Sequence, residues 1–266
     1  MNRSARYLTA MSIILIVIIP ISILVVWAFT LLWPYPDLVP SFTTHYLKFI
    51  MDTGILTKPL MNSVLLSLIV TGLSFILGFL PAKYLGTKEF KGKRALQVFV
   101  MLPALAPGIA IVFGMMPVFM KLDLYLTFEA LVIGQITFTL PYMIMVLSSS
   151  FRNYDTDYEA QSTTLGMGKI DTFLHVTLPM IKSSAAVACM YTFMVSWSMY
   201  LFTSMYLPKG FSTLVTTLLP MAASSSAIPQ EIAITTILFF LPSLIFLIAT
   251  TLIIKSDNAN ERGGQI

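Results

Sequence analysis

Few side chains of this sequence are suited to chemistry, and the most suggestive ones lie inside long apolar segments. They are Gln135, Thr137, Ser196, Trp197, Tyr200 and Thr203. Ser196, Tyr200 and Thr203 follow the i, i+4, i+7 spacing of one helical face. Aromatic rings and hydroxyls at that spacing would hold a small cation or a polar solute along a pathway. The alternative is interhelical packing, in which hydroxyl residues commonly join neighbouring helices.

Catalytic or metal chemistry has little support in the sequence. A metal centre needs clustered His, Cys or carboxylate ligands, and the chain has two histidines, His45 and His175, and one cysteine, Cys189. The sequence has no glycine-rich phosphate loop followed by Lys-Ser or Lys-Thr. We therefore expect this chain to have no catalytic residue, no metal and no cofactor of its own.

The composition indicates that these side chains lie within a membrane. Of the 266 residues, 57% are hydrophobic and 11% are charged, which is too little charge for a soluble surface. Seven stretches of at least 21 residues carry no charge, and about 20 apolar residues cross a bilayer as a helix. We predict six transmembrane helices at about 8–33, 59–84, 95–120, 128–150, 180–204 and 231–254. The seventh stretch, 210–230, is rich in Ser and contains two prolines, so we expect an external loop or a short helix that dips toward the membrane.

The distribution of basic residues gives the orientation. With six spans and a cytoplasmic N-terminus, twelve of the 16 basic residues lie inside and four outside, as the positive-inside rule requires. Both termini and the loop 151–178 are then cytoplasmic, and His45 and His175 lie on opposite sides. The net charge of +4 follows from this topology, so nucleic acid is not an expected partner.

Prolines are concentrated in the predicted span 95–120, which contains Pro103, Pro107 and Pro117. Each proline removes a helical hydrogen bond, which membrane helices tolerate where neighbours satisfy the freed carbonyl. The cluster predicts either a bent helix that lines a pathway or an ordinary irregularity of packing.

The cytoplasmic loop is the longest polar segment and the place where two short helices are expected. Residues 151–179 read FRNYDTDYEAQSTTLGMGKIDTFLHVTLP. Asp155 or Thr156 can cap the first helix, and glycines at 166 and 168 interrupt it. A second helix is predicted from Lys169 to His175. Ile170, Phe173 and Leu174 should share one of its faces, at the spacing expected for burial against another surface.

This loop resembles the cytoplasmic motif of ABC importer permeases of the binding-protein-dependent class. Gly166 is followed by nine residues and then by Val-Thr-Leu-Pro at 176–179, which matches the spacing of the motif. The sequence departs from it at Glu159-Ala160-Gln161, which lies one residue farther from Gly166 than the usual Glu-Ala-Ala. The residues to which the resemblance gives a role in ATPase coupling are Glu159, Ala160, Gln161, Leu165, Gly166, Gly168, Ile170, Phe173, Val176, Leu178 and Pro179.

The resemblance implies an all-α polytopic membrane protein, type I ABC importer permease-like, with residues 1–266 as one permease domain in the bacterial inner membrane. Its implied partners are a second permease, expected to be a different chain, two ATPase subunits that use ATP and Mg, and an extracytoplasmic binding protein. The segment GQITFTLPYMIMVLSSSFRNYD looks like that of spermidine/putrescine permeases. The implied cargo is a small polar solute of the polyamine, thiamine, iron or phosphonate class. An ion-gradient-driven secondary transporter is the alternative, although it would require a charge within the membrane.

Overall fold

The fold is almost entirely helical in the computed structural model, which describes residues 3–32, 39–226 and 228–263. The first half contains α1 (Arg3–Ala28), β1 (Thr30–Leu32), β2 (Ser41–Phe42), α2 (His45–Thr53), α3 (Thr57–Thr87), α4 (Lys93–Leu105), α5 (Gly108–Lys121) and α6 (Phe128–Phe151). The second half contains α7 (Asp157–Thr164), α8 (Lys169–Thr172), a π-helical turn (Phe173–Thr177), α9 (Leu178–Met180), α10 (Lys182–Trp197), α11 (Tyr200–Met205), α12 (Leu214–Ala223) and α13 (Pro229–Gly263). The predicted all-α class is confirmed.

Three helices of the described residues are long and apolar enough to cross a membrane. They are α3, α6 and the Pro229–Ile253 part of α13, with mean hydropathies of 2.3, 1.9 and 2.5. They coincide with the spans predicted at 59–84, 128–150 and 231–254. Two bent pairs raise the number to five if each pair is one span: Lys93–Leu105 with Gly108–Lys121, and Lys169–Met180 with Lys182–Trp197. The predicted count of six is not confirmed by these helices.

The first predicted span, 8–33, ends earlier than expected. The helix α1 ends at Ala28, and the chain continues as β1, which pairs antiparallel with β2. Ser41 Oγ accepts a hydrogen bond from the Leu32 N–H at 3.1 Å and donates to the Leu32 carbonyl at 3.0 Å. The backbone here finds its partners outside the helix, so the apolar run overestimated the helix length. Residues 33–38 lie outside the described part of the chain.

The proline-rich span 95–120 is bent by 91° between α4 and α5. Pro107 is the cause, because a residue that precedes proline is pushed out of the helical region. Ala106 accordingly has φ −73° and ψ 149°, and α4 ends there. The bend that the proline cluster predicts is therefore present.

The predicted span 180–204 also contains a break. The helix α10 ends at Trp197, and α11 begins at Tyr200 after Met199 leaves the helical region at ψ 83°. Ser198 Oγ donates to the Met194 carbonyl at 2.9 Å, a local bond that competes with the helical ladder. The second part of the predicted span 180–204 is thus two helices, and residues on either side of the break no longer share one regular helical phase.

The segment 210–230 contains a helix, α12, and is not a plain loop. Thr213 and Thr216 form a reciprocal cap at its start, in which Thr216 Oγ1 accepts from the Thr213 N–H at 2.9 Å. Asn62 Nδ2 donates to the Ser212 carbonyl at 3.0 Å just before it. The short helix that we considered for this stretch is therefore present, with Pro220 inside it.

Contacts divide the chain into two compact units, Met1–Asn62 with Ser212–Pro242, and Ser63–Phe211 with Ser243–Ile266. Two hydrophobic clusters of the second unit pack α6 against its neighbours. Glycines permit this packing: a Cβ on Gly134 would lie 1.7 Å from Cζ of Phe202, and one on Gly86 would lie 2.3 Å from Cβ of Phe151. Every predicted functional residue belongs to this unit.

Candidate functional site

The loop that follows α6 folds as a compact series of short helices. After α7 the chain reverses at Gly166, whose φ of +87° favours glycine. The Met167 N–H donates to the Ser162 carbonyl at 3.1 Å, and the Gly166 N–H donates to the Thr163 carbonyl at 3.0 Å. This pair of bonds is a Schellman motif, which satisfies the last carbonyls of α7. The glycine predicted to interrupt the loop therefore terminates its first helix.

The Glu159 carboxylate joins three parts of the chain. Its Oε2 accepts from Lys83 Nζ of α3 at 2.5 Å, and its Oε1 accepts from Tyr154 Oη at 2.5 Å and from Thr177 Oγ1 at 2.7 Å. We call these four residues, Glu159, Lys83, Tyr154 and Thr177, the Glu159 cluster. The side chains of Glu159 and Lys83 are 20% and 27% exposed. The cluster holds α7 to the end of α3 and to the π-helical turn.

The surroundings of the Glu159 cluster shift the pKa of two of its side chains, Glu159 and Tyr154. Burial raises the pKa of Glu159, but the hydrogen bonds from Lys83, Tyr154 and Thr177 and the charge of Lys83 outweigh it, so this pKa lies below its ordinary value. Burial, followed by the hydrogen bond to Glu159, raises the pKa of Tyr154 to about 12. At neutral pH the carboxylate is therefore ionised and the phenol is protonated, as these hydrogen bonds require.

A second contact fixes α7 to α8. The hydroxyls of Ser162 and Thr172 lie 3.0 Å apart, and both residues are buried. Phe173 packs edge-on against Phe79 of α3, with ring centroids 4.9 Å apart. The α7 helix thus contacts α8, and the π-helical turn that follows α8 packs against α3.

Ile170, Phe173 and Leu174, in α8 and the π-helical turn, were predicted to share one helical face, and they do not. Phe173 packs inward, whereas Ile170 is 74% exposed and Leu174 is 49% exposed. The reason is that the helix changes to a π-helical turn at Phe173, which alters the residue spacing. Leu165, at the end of α7, is 83% exposed. The loop therefore presents large apolar side chains away from its own chain.

The other predicted loop residues are divided between surface and interior. Ala160, Gln161, Gly166, Gly168 and Pro179 are exposed, and Val176 and Leu178 are half-buried. An open cavity of about 520 Å³ is lined by Asp157, Ala160, Gln161, Thr164 and Leu165. This surface lies beside the exposed end of α7.

Three of the predicted pathway residues form a buried polar cluster inside the chain. Ser196 Oγ donates to Gln135 Oε1 at 2.5 Å, and Gln135 Nε2 donates to Thr203 Oγ1 at 2.9 Å. Ser67 Oγ lies 3.3 Å from Ser196 Oγ. All four residues are at most 3% exposed. The cluster joins α3, α6, α10 and α11, which is the interhelical arrangement that we considered as the alternative.

The remaining pathway residues lie elsewhere. Trp197 is 3% exposed and stacks on Phe193, whereas Thr137 and Tyr200 are half-buried. Thr137 Oγ1 donates to the Ile133 carbonyl, and the residue lines an apolar groove between α3, α4 and α6. Tyr200 is separated from Ser196 by the break between α10 and α11, so the predicted common face is interrupted.

Sequence reasoning missed the contribution of α3. Ser67, Thr71 and Ser74 follow one another at four- and three-residue spacing, and all are buried. Ser74 Oγ lies 2.9 Å from Thr139 Oγ1, and the hydroxyl of Thr71 has no hydrogen-bond partner among the described residues. This spacing was a signal of a polar helical face in the predicted span 59–84. Lys83, at the end of the same helix, had no such signal, because its partner Glu159 is distant in sequence.

Among residues 3–32, 39–226 and 228–263, no three His, Cys, Asp or Glu side chains lie close enough together to hold a metal ion. Cys189 is free and half-buried.

Known proteins similar to this chain are membrane permeases. The Escherichia coli K12 spermidine/putrescine transport system permease protein PotC is 24% identical over 84% of this chain and 84% of its own. The E. coli K12 inner membrane ABC transporter permease protein YcjP is 28% identical over 56% of this chain and 53% of its own. The Mycobacterium tuberculosis trehalose transport system permease protein SugB is 29% identical over 60% and 59%.

A solved structure and a family model agree with these relatives. A chain in the crystal structure of a bacterial ABC transporter involved in the import of the acidic polysaccharide alginate superposes with a TM-score of 0.72, at 14% identity, over 94% of this chain and 98% of that chain. The predicted fold type is thereby confirmed. The model of the family described as "Binding-protein-dependent transport system inner membrane component" matches residues 74–256. Because this match covers well over half of the sequence, the chain belongs to that family, the non-catalytic membrane permease subunits of ABC importers.

Proposed function

We propose that this permease forms half of a translocation pathway and that its 151–179 loop receives motion from an ATPase subunit. The observation that carries the proposal is the two-sided character of the loop. Its inner side is fixed to α3 by Lys83 and Glu159, and its outer side exposes Leu165 and Ile170. A rigid helical segment with an apolar outer surface can transmit rigid-body motion from a docked protein.

The apolar outer surface gives a measurable test. Burying Leu165 or Ile170 in a partner stabilises a complex by about 1.5–3 kcal/mol each. Leu165→Glu or Ile170→Glu should therefore reduce capture of the ATPase subunit about tenfold or more in membranes that contain the assembled transporter. Leu122→Glu is the matched control, since Leu122 is 60% exposed in the connection between α5 and α6. Equal capture by all three variants would show that the ATPase docks elsewhere.

The full assembly that we propose contains a second permease, expected to be a different chain, two ATPase subunits and an extracytoplasmic binding protein. The ATPase subunits consume ATP and Mg, and this chain binds neither. Membership of the family supports these classes of partner. Co-purification of the tagged chain, followed by identification of each captured subunit, tests the composition. Capture of a second copy of this chain in place of another permease would contradict the heteromeric arrangement.

The orientation that we propose places both termini and the loop 151–178 in the cytoplasm. Cys189 is the single cysteine of the sequence, so Cys189→Ala provides a background for labelling. Thr164→Cys places a thiol on the exposed end of α7, and Lys209→Cys places one in the connection after α11. A membrane-impermeant maleimide should label the second in intact cells and the first only after permeabilisation. The reverse pattern would overturn the orientation.

The cargo that we propose is a small polar solute, with the polyamine class first among the candidates. The similarity to PotC over most of the chain supports this class. Other similar proteins are named for different solutes, trehalose for SugB and alginate for the structurally similar transporter. The neutral cluster around Gln135 is already satisfied by its own hydrogen bonds, so it supplies little selectivity. Selection then rests mainly with the binding protein. Thermal stabilisation of that protein by spermidine or putrescine would support the class, and stabilisation only by a sugar would refute it.

A further inference from the structure

A cavity of about 550 Å³ at the start of α4 is lined by an unusual set of charges. Lys93, Arg94 and Arg152 contribute three positive charges, and Glu89 contributes one negative charge. Lys93 Nζ binds Glu89 Oε1 at 2.6 Å, but this carboxylate is 88% exposed and its attraction is weakened by water. Among the described residues, the ion pairs do not involve the guanidinium of Arg94 or Arg152. Two guanidinium groups thus remain available to an anion.

The chemistry of the cavity favours a phosphate group. A guanidinium presents donors in a planar fork that matches phosphate oxygens. Gln97 adds a neutral amide to the lining one turn along α4. With three cations against one carboxylate, an anionic group is preferred to a zwitterion.

An apolar groove of about 420 Å³ begins close to this cavity. Leu77 of α3, Phe99 and Val100 of α4, and Ile133 and Leu140 of α6 are among its lining residues, and Thr137 is its one polar side chain. Gln97 of the basic cavity and Val100 of the groove are three residues apart on α4, about 4.5 Å along the helix axis. No residue of α4 is buried within the described part of the chain. The helix therefore carries a cationic cavity and an apolar groove along one short length.

We propose that these two features form a binding site for one anionic phospholipid, with its phosphate in the basic cavity and an acyl chain in the groove. A positive cavity and an apolar groove whose lining residues Gln97 and Val100 lie one helical turn apart on α4 match the amphipathic shape of such a lipid. They do not match an inorganic anion or a neutral solute. Basic residues next to a membrane helix attract anionic headgroups by about 1 kcal/mol each, a factor of about five in affinity. This inference goes beyond transport coupling and does not depend on the 151–179 loop.

The test uses the assembled transporter in detergent, with native mass spectrometry after addition of phosphatidylglycerol. Arg94→Gln and Arg152→Gln should each weaken phosphatidylglycerol binding about fivefold. Lys91→Gln is the matched control, because Lys91 is exposed in the same turn but is not among the described lining residues. Equal weakening by all three variants would indicate general attraction to a positive surface and would overturn the site. If Arg152→Gln prevents assembly, Arg94→Gln alone decides the test.

The groove is tested separately from the cavity. Phe99→Gln should weaken phosphatidylglycerol binding, whereas Val98→Gln, at a neighbouring exposed position outside the groove lining, should leave it nearly unchanged. Phosphatidylethanolamine that binds as tightly as phosphatidylglycerol would refute the preference for an anion. Inorganic phosphate that competes at equal concentration would refute the role of the groove. Absence of bound phosphatidylglycerol from the assembled complex would refute the proposal.

Discussion

Replacement of Glu159 tests whether the Glu159 cluster fixes the loop to the membrane helices. Both side chains of its ion pair retain contact with water, so the pair contributes about 1 kcal/mol, less than a fully buried pair. The hydrogen bonds from Tyr154 and Thr177 contribute about 1 kcal/mol each. Glu159→Gln removes the charge and keeps an acceptor oxygen, whereas Glu159→Ala removes all three bonds. We expect the free energy of opening α7 to fall by about 1 and about 3 kcal/mol, respectively.

Hydrogen exchange of the α7 amides measures this free energy directly. One factor of ten in exchange rate corresponds to about 1.4 kcal/mol, so we expect exchange about fivefold faster in Glu159→Gln and about a hundredfold faster in Glu159→Ala. Transport assays should show more ATP hydrolysed for each solute imported, because a loosened loop transmits less motion. Glu89→Gln is the matched control, since the carboxylate of Glu89 is 88% exposed and lies outside the loop.

A double-mutant cycle completes the experiment. Lys83→Met in the Glu159→Gln background should add little further opening, because the ion pair is already lost. Exchange of α7 in Glu159→Ala at the wild-type rate would refute the reasoning. So would full additivity of the Lys83 and Glu159 changes.

The same cluster predicts a pH dependence of loop stability. The folded pKa of Glu159 is lowered, so its stabilisation is complete above the ordinary glutamate pKa of about 4.3 and is lost as pH falls through the folded pKa. The folded pKa of Tyr154 is raised to about 12, so its contribution is complete below the ordinary value of about 10 and is lost as pH rises through 12. Protection of α7, corrected for intrinsic exchange, should therefore be constant between these limits and fall at both ends. Glu159→Gln should remove the acid limb, and an unchanged acid limb in that variant would contradict this assignment.

Two glycine substitutions follow from the packing and the backbone. Gly134→Ala places a Cβ 1.7 Å from the Phe202 ring and should lower the stability of the second unit by about 1–3 kcal/mol, as measured by thermal unfolding in detergent. Gly114→Ala is the control and should leave the stability unchanged, because its Cβ would have no neighbour within 4 Å outside the backbone of its own helix. Gly166→Ala meets no neighbour but must adopt φ +87°, so it should cost about 1–2 kcal/mol and lower coupling, while Gly168→Ala should be neutral. Equal unfolding temperatures of the first pair, or equal coupling of the second, would contradict these arguments.

Long, strongly apolar segments were predictable from the sequence because their length and lack of charge leave few structures other than a membrane-spanning helix. The span predicted at 128–150 is the helix Phe128–Phe151, whose start is marked by Thr127, with Ala130 N–H donating to its hydroxyl at 3.2 Å. The break at Ser198 and the sheet at Ser41 were not predictable in this way. They depend on side-chain hydrogen bonds of Ser198 and Ser41 with the backbone, which compete with a regular helix.

Some residues of the candidate site were likewise predictable from the sequence, and others were not. Gly166 and the residues that follow it were recognisable from spacing alone, and Glu159 was named, but its partner Lys83 lies 76 residues away in sequence. Nothing in the spacing of charges could identify that pair. The face predicted for Ser196, Tyr200 and Thr203 assumed an uninterrupted helix. A break of two residues separates Tyr200 from Ser196, and Ser196 and Thr203 are joined through Gln135 instead.

The bend at Ile181 has a geometric consequence. The segments Lys169–Met180 and Lys182–Trp197 meet at 84°. Because the cosine of this angle is about 0.1, a pull along the first segment displaces α10 along its own axis by only about a tenth of that distance. The remainder tilts α10 sideways. If an ATPase subunit drives the loop as we propose, such a hinge turns the displacement into a swing of α10 about Ile181 and gives little movement along the axis of α10.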